Sequence, residues 1–121
     1  MGSEPRLALI VLKTRQIDKL LGFYQAIGIP FVEEQHGRGP RHFAGKLGDT
    51  VLEIYPLKDG EADRTTRLGF SVENLYAVIQ TLVQRKLAPE MTPTTSDWGL
   101  RVVVADPDGR AVELYGVHKL R

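Results

Sequence analysis

The chain has 121 residues, 42% of them hydrophobic and 26% charged, which is the composition of one ordinary globular domain. Its formal net charge of +1 is spread along the sequence and excludes a basic surface for nucleic acid, and the absence of cysteine excludes disulfides and thiolate chemistry. Since no apolar run approaches the roughly 20 residues that span a bilayer, and the first residues contain no apolar signal core, we expect a cytoplasmic protein that binds no membrane.

The first half of the chain combines short apolar segments with one amphipathic segment. The continuous aliphatic run at residues 7–12 predicts a buried strand. A helix that ends at Gly28 is predicted next, from apolar residues that recur with helical spacing at Ile17, Leu20, Leu21 and Tyr24. Residues 31–34, 42–47 and 50–55 are then predicted to form three strands.

The second half repeats this order after a polar linker at residues 58–66. Residues 67–72 predict a short strand, and Asn74 is placed as the N-cap of a helix. The apolar face of that helix has helical spacing at Leu75, Val78, Ile79, Leu82 and Val83. Residues 91–95 and 100–105 predict two strands, and the turn Asp106-Pro107-Asp108-Gly109 leads to the last one.

An internal repeat relates the two halves. Leu52-Glu53-Ile54-Tyr55 and Val112-Glu113-Leu114-Tyr115 have the same pattern, with the two glutamates in register. Neither half can bury its sheet alone, so the two should pack into one unit. We therefore predict a single α+β domain over residues 6–118, with module one at 6–57, the linker at 58–66 and module two at 67–118.

Two tandem βαβββ modules, each ending in a glutamate-bearing strand, resemble the vicinal oxygen chelate superfamily. That group includes glyoxalase I, extradiol dioxygenases, and the bleomycin and fosfomycin resistance proteins. The helix with Phe23-Tyr24 near its end resembles the family's first helix, and residues 102–115 resemble its closing hairpin. The resemblance implies the glyoxalase/bleomycin resistance fold, in which the modules form a cup-shaped mixed sheet around a ligand or metal. It also implies a homodimer with pockets at or near the interface.

The resemblance also implies where a metal would bind. Metal-dependent members place one ligand on the first strand and one on the last strand of each half. Glu53 and Glu113 fit the last-strand positions, whereas Leu9 and Arg67 stand where the first-strand ligands are usual. Two carboxylates are not a sufficient site for a divalent transition metal, and a guanidinium group would compete for them. We therefore expect no cofactor; the alternative is a divalent metal (Zn, Ni, Mn or Fe) held by Glu53, Glu113 and His42.

Each candidate side chain has a functional and a structural interpretation. Glu53 and Glu113 are candidate catalytic or ligand-orienting groups, or carboxylates held by buried hydrogen bonds. His42 is a candidate ligand-binding or acid–base group inside the cup, or a surface residue beside a hairpin; His36 is expected to be a surface loop residue. Tyr55 and Tyr115 alternate onto the faces of the glutamates and are predicted walls of the cavity.

Two arginines and the single tryptophan complete the predicted ligand-binding set. Arg67 is predicted to pair with a carboxylate inside the cup. Arg101 is a candidate contact for an anionic ligand, or a solvated surface residue. Trp98 follows a polar turn and is a candidate lid over the pocket; it could equally cover a hydrophobic edge or a subunit contact.

The sequence supports two hypotheses of function. The leading one is metal-independent binding of a small organic molecule in the cup between the modules. The rival is a metal-dependent, glyoxalase-like lyase or isomerase of the lactoylglutathione lyase type, or a dioxygenase-related enzyme, that uses Glu53 and Glu113. Arg67 discriminates between them, since a cation at a ligand position favours the binding protein.

Overall fold

The structure of the protein is a computed structural model that describes residues 3–97 and 99–116. Module one contains strand β1 (Leu9–Thr14), helix α1 (Ile17–Ile27) and strands β2 (Phe31–Glu34), β3 (His42–Leu47) and β4 (Thr50–Pro56). Module two contains strand β5 (Leu68–Val72), helix α2 (Leu75–Gln84) and strands β6 (Thr94–Ser96), β7 (Gly99–Ala105) and β8 (Ala111–Gly116). The predicted order of strand, helix and three strands in each half is confirmed.

The strands form two four-stranded mixed sheets with the same topology. The first sheet has the order β1-β4-β3-β2, and the second has the order β5-β8-β7-β6. In each sheet the first and last strands of the module pair in parallel, and the remaining pairs are antiparallel. The two repeated tetrapeptides therefore lie on β4 and β8, the equivalent inner strands. Glu53 is opposite Val11 on β1, and Glu113 is opposite Gly69 on β5.

The two helices form because each presents one apolar face and has a defined end. Helix α1 buries Leu20 and Phe23, and it ends at Gly28, whose positive φ of 117° is readily adopted only by a residue without a side chain. The Asn74 side chain accepts a hydrogen bond of 3.1 Å from the backbone N–H of Ala77 and caps α2. Neither helix among the described residues is long and apolar enough to cross a membrane.

Each sheet buries only one of its faces in the single chain. Leu52 and Ile54 on β4, like Val112 and Leu114 on β8, are buried in the hydrophobic core shared with the helices. Side chains alternate between the two faces of a strand, so Glu53, Tyr55, Glu113 and Tyr115 lie on the opposite faces. We call these two faces, which point away from the helices, the open faces of the first and second sheets.

The prediction of a buried strand at residues 7–12 is wrong in both its bounds and its burial. Strand β1 runs from Leu9 to Thr14, in register with β4, and alternates between exposed and buried positions. Leu9 and Val11 are 51% and 40% exposed because they lie on the open face of the first sheet. The predicted strand at residues 91–95 is likewise displaced, since β6 begins at Thr94.

A buried polar network connects the turn before β8 to module one. The Arg110 side chain, 1% exposed, donates hydrogen bonds of 3.2 Å each to carboxylate oxygens of Asp106 and Asp108 and to the backbone carbonyl of Lys13. The Tyr24 hydroxyl of α1 donates to Asp106 over 2.7 Å. Burial, followed by this hydrogen bond, raises the pKa of Tyr24. The turn predicted from the Asp-Pro-Asp-Gly sequence is therefore also a contact between the modules.

Candidate functional site

The open face of the second sheet contains a compact cluster around the Glu113 carboxylate. Arg101 on β7 donates through Nε to Glu113 Oε1 over 3.0 Å, and Arg67, just before β5, donates to Glu113 Oε2. The Tyr115 hydroxyl also donates to the same carboxylate. The strands bring these groups together because β8 lies between β5 and β7. The structure thus unites Glu113 with three of the predicted ligand-binding residues; a fourth, Trp98, lies outside the described residues.

The Glu113 cluster has the electrostatic character of a fixed cationic site. Arg101, Tyr115 and Arg67, in that order of effect, lower the pKa of Glu113 from its ordinary value of 4.5 to about 2. The carboxylate is therefore ionised at neutral pH, and two guanidinium groups surround one negative charge. Such an arrangement suits the orientation of a polar or anionic group of a ligand. It does not suit a general base, whose pKa should lie near the operating pH.

We predict that the Glu113 carboxyl group titrates with a midpoint near pH 2, measured by the carbon-13 chemical shift of its side chain. A lowered pKa in the folded state means that this contribution to stability is present above about pH 4.5 and is lost as the pH falls towards 2. Arg101→Gln should move the midpoint up towards 4.5, because the largest stabilising contact is removed. Arg64→Gln is the matched control, since Arg64 lies beside Gly109 instead. A wild-type midpoint at 4.5 would contradict the prediction.

The open face of the first sheet contains Glu53 in different surroundings. Among residues 3–97 and 99–116, no side chain forms a hydrogen bond or ion pair with the Glu53 carboxylate. Its neighbour on the same face, Tyr55, stacks on the His42 ring with centroids 4.1 Å apart and planes at 7°. Partial burial, followed by the Glu53 and Glu34 carboxylates, raises the pKa of Tyr55, so its hydroxyl stays protonated. The two repeated glutamates therefore lie at equivalent positions of the two sheets with unequal partners.

His42 is buried, and its interpretation as a surface loop residue is wrong. The side chain lies at the first position of β3, beneath the Tyr55 ring, and the residue is 1% exposed. Its Nδ1 atom is 3.1 Å from the carbonyl oxygen of Pro40, and its Nε2 atom is 3.4 Å from Glu34 Oε1. His36 lies at the surface, as expected, yet its ring is 5.2 Å from that of His42.

Within the part of the chain that the structure describes, metal-ligating side chains come together at Glu34, His36 and His42. The set predicted from the sequence, Glu53, Glu113 and His42, does not form such a group there and stays a prediction. Glu34 was not predicted as a site residue. The sequence shows only a carboxylate at the end of one predicted strand and a histidine at the start of the next, and their pairing depends on the register of the hairpin.

The chain is similar to known proteins over nearly its whole length. Residues 6–114 match the sequence model of the Glyoxalase/Bleomycin resistance protein/Dioxygenase superfamily. A comparison with functionally curated proteins gives no match.

Solved structures of the same fold cover nearly all of the chain. TnmS3, an antibiotic binding protein from Streptomyces sp. CB03234, has 20% identity and a TM-score of 0.74 over 98% of this chain and 100% of its own. A glyoxylase/bleomycin resistance protein/dioxygenase domain from Frankia sp. EAN1pec has 22% identity and a TM-score of 0.72 over 96% and 100%. The bleomycin resistance determinant encoded on transposon Tn5 has 18% identity and a TM-score of 0.66 over 95% and 100%.

Proposed function

The chain belongs to the Glyoxalase/Bleomycin resistance protein/Dioxygenase superfamily, and from this premise we propose that it binds a small organic molecule between its two modules without the family's standard metal site. The observation that carries the proposal is the composition of the two open faces. Each combines a tyrosine and a glutamate with exposed aliphatic side chains: Leu9, Val11 and Val32 on the first sheet and Val103 on the second. Apolar surface beside a few fixed polar groups is the usual character of a small-molecule site.

Arg67 supports a binding protein over a metal-dependent lyase. In metal-dependent members the position of Arg67 holds one of the four metal ligands. Here the Arg67 guanidinium group is hydrogen-bonded to Glu113, which occupies another of the four ligand positions. A third position holds the aliphatic Leu9. A guanidinium group already paired with one of the two carboxylates opposes the binding of a divalent metal there. The same guanidinium and that of Arg101 are well placed to orient a ligand.

The class of ligand that we propose is an antibiotic-like molecule. The structural neighbours include an antibiotic binding protein and a bleomycin resistance determinant, and both share the fold of this chain. The open faces agree with such a ligand, because large antibiotics combine aromatic or aliphatic parts with several polar groups. Tyr55 and Tyr115 offer aromatic surface, while the Glu113 cluster and Glu53 offer charges of both signs.

We expect bleomycin, or another member of a panel of aromatic and glycopeptide antibiotics, to raise the thermal transition of the protein saturably. Val103→Glu should abolish this rise. Val103 is 42% exposed on the open face of the second sheet, and a ligand bound there would have to desolvate the new carboxylate. Tyr76→Glu is the matched control: Tyr76 is 59% exposed on α2, away from the open faces. A panel without any saturable shift, or binding that is indifferent to Val103→Glu, would count against the proposal.

A homodimer would complete the site, and we include it in the proposal. Strand β1 is an edge of the first sheet, and exposed leucines lie at its first residue, Leu9, and just before it, at Leu7. An edge strand with exposed aliphatic side chains is usually covered in the assembled protein. Light scattering should give twice the chain mass of 13.5 kDa; a mass of 13.5 kDa would contradict this part of the proposal.

The rival lyase is tested with the same protein. Hemithioacetal isomerisation is assayed after addition of Zn²⁺, Ni²⁺, Mn²⁺ or Fe²⁺. Metal-dependent turnover that is lost in both Glu53→Gln and Glu113→Gln would replace the binding proposal with an enzyme of the lactoylglutathione lyase type.

A further inference from the structure

The hairpin between β2 and β3 gathers three metal-ligating side chains at the end of the first sheet. Glu34, the last residue of β2, is directly opposite His42, the first residue of β3. The loop between them turns back on itself, with a hydrogen bond of 2.9 Å from the N–H of Gly39 to the carbonyl of His36. This turn places the His36 ring 5.2 Å from the His42 ring. Three residues separated in sequence thus become neighbours through one local structure.

The distances from Glu34 Oε1 to the two histidine nitrogens match those of a tetrahedral metal centre. Glu34 Oε1 is 3.5 Å from His36 Nε2 and 3.4 Å from His42 Nε2. In a tetrahedron with metal–ligand bonds of about 2.1 Å, two ligand atoms are about 3.4 Å apart. All three ligating atoms lie within 4.8 Å of one another. A single ion could therefore contact all three side chains after small rotations of the exposed His36.

The hydrogen bonds of His42 direct its second ring nitrogen towards the carboxylate. The Pro40 carbonyl, 3.1 Å from Nδ1, can only accept, so Nδ1 carries a proton and donates it. Metal-ligating histidines use this same arrangement to fix the ring and present the lone pair of Nε2. The Tyr55 hydroxyl is 3.3 Å from Nε2, but the two rings are stacked at 7°, which places the hydroxyl above the imidazole plane. The lone pair of Nε2 lies in the imidazole plane, so it is not directed at the Tyr55 hydroxyl.

A metal ion between Nε2 of His42 and Oε1 of Glu34 would bridge two groups that can both act as ligands. The two atoms are 3.4 Å apart, and each has a lone pair to offer when Nδ1 of His42 donates to Pro40. His36 Nε2 approaches the same oxygen from a second direction, at 3.5 Å. With the two rings 5.2 Å apart, one metal ion at this point would contact all three side chains.

We propose that Glu34, His36 and His42 form a binding site for one divalent transition metal ion, with Zn²⁺ as the representative. Two imidazoles and one carboxylate are ligands that Zn²⁺ prefers, whereas Mg²⁺ and Ca²⁺ prefer oxygen alone. This site differs from the positions that the family resemblance implies, which lie on β1, β4 and β8 and just before β5. Three protein ligands leave a fourth position for water or for a donor atom of another molecule. The proposal does not depend on the small-molecule function.

The test is a titration of tag-free, chelator-treated protein with Co²⁺, followed by competition with Zn²⁺. We expect one equivalent of Co²⁺ to produce the visible absorption of a tetrahedral centre, and one equivalent of Zn²⁺ to remove it. His36→Gln should weaken Zn²⁺ binding by at least about ten-fold without affecting the fold, because the His36 side chain is 75% exposed. Glu34→Gln should weaken it similarly.

Two matched variants distinguish this site from adventitious binding. Glu33→Gln removes the adjacent carboxylate, which alternates to the other face of β2 and pairs with Arg41, and it should leave Zn²⁺ binding unchanged. His118→Gln removes the one histidine outside the cluster and should also have no effect. Absence of stoichiometric Co²⁺ and Zn²⁺ binding would overturn the proposal. Binding that survives His36→Gln but is lost with His118→Gln would overturn it as well.

Discussion

Asp106→Asn is expected to lower the free energy of unfolding by about 3 kcal/mol, measured by urea denaturation. The Asp106 side chain is fully buried and accepts hydrogen bonds from Tyr24, from Arg110 and from two backbone N–H groups. Removal of its charge leaves the buried Arg110 guanidinium with Asp108 as its remaining carboxylate. Breaking one partner of a buried pair costs about 3–5 kcal/mol, and the contact with Asp108 places the expected loss at the lower end.

Asp49→Asn is the matched control for this buried pair. Asp49 also pairs with an arginine, Arg6, at 2.6 Å, but both side chains are 76% exposed. An exposed ion pair contributes about 0–1 kcal/mol, so the control should unfold nearly as the wild type does. Tyr24→Phe combined with Asp106→Asn should cost less than the sum of the single variants, because both act on the same hydrogen bond. Equal losses for Asp49→Asn and Asp106→Asn would refute the assigned role of the network.

Gly45→Ala is expected to destabilise the protein by about 1–3 kcal/mol, the usual cost of overpacking a filled core. A Cβ atom at Gly45, on β3, would lie 2.5 Å from Ile29 Cγ2 and 3.0 Å from the Phe31 ring. Ile29 is buried in the core and has little room to move. Gly45 is therefore required by the close approach of the chain that follows α1. Thermal or urea unfolding measures the loss.

Gly22→Ala should have the opposite sign. Gly22 lies inside α1, and a Cβ atom there would meet nothing within 4 Å. Alanine stabilises a helix interior by up to about 1 kcal/mol relative to glycine, so this variant should be more stable than the wild type. Comparison of Gly45→Ala with Gly22→Ala separates the effect of core packing on stability from that of backbone conformational entropy, since both substitutions add the same methyl group. An increase in stability with Gly45→Ala would contradict the close contact of Gly45 with Ile29 and Phe31.

Local patterns were sufficient to predict the elements of the fold. The spacing of Leu20 and Tyr24, the cap at Asn74 and the turn that begins at Asp106 each depend on neighbouring residues, and each is confirmed. The burial of β1 was not predictable in the same way. A run of aliphatic residues does not reveal that one face of its sheet packs on α1 while Leu9 faces outward.

The candidate site was predicted in part, for the same reason. Glu113 and Tyr115 are two residues apart on one strand, so alternation alone places them on one face. The approach of Arg67, just before β5, and of Arg101 on β7 depends on strand order, which spacing does not specify. Glu34 and His42 depend on the register of a hairpin with a seven-residue connection, and no turn rule fixes that register from sequence.

The sequence by itself determined the order of elements in the two βαβββ modules, because that order rests on residue types and short-range periodicity; its motifs also carried the resemblance to the family whose model the chain matches. Tertiary structure alone decided that Arg110 connects the modules from within the core, and that Glu34, His36 and His42 meet at one end of a sheet. The contacts of the Arg110 network depend on the packing of elements far apart in the chain, whereas the meeting of Glu34, His36 and His42 depends on the register of one hairpin. Their energies come from burial and from distances between side chains, which a linear sequence does not contain.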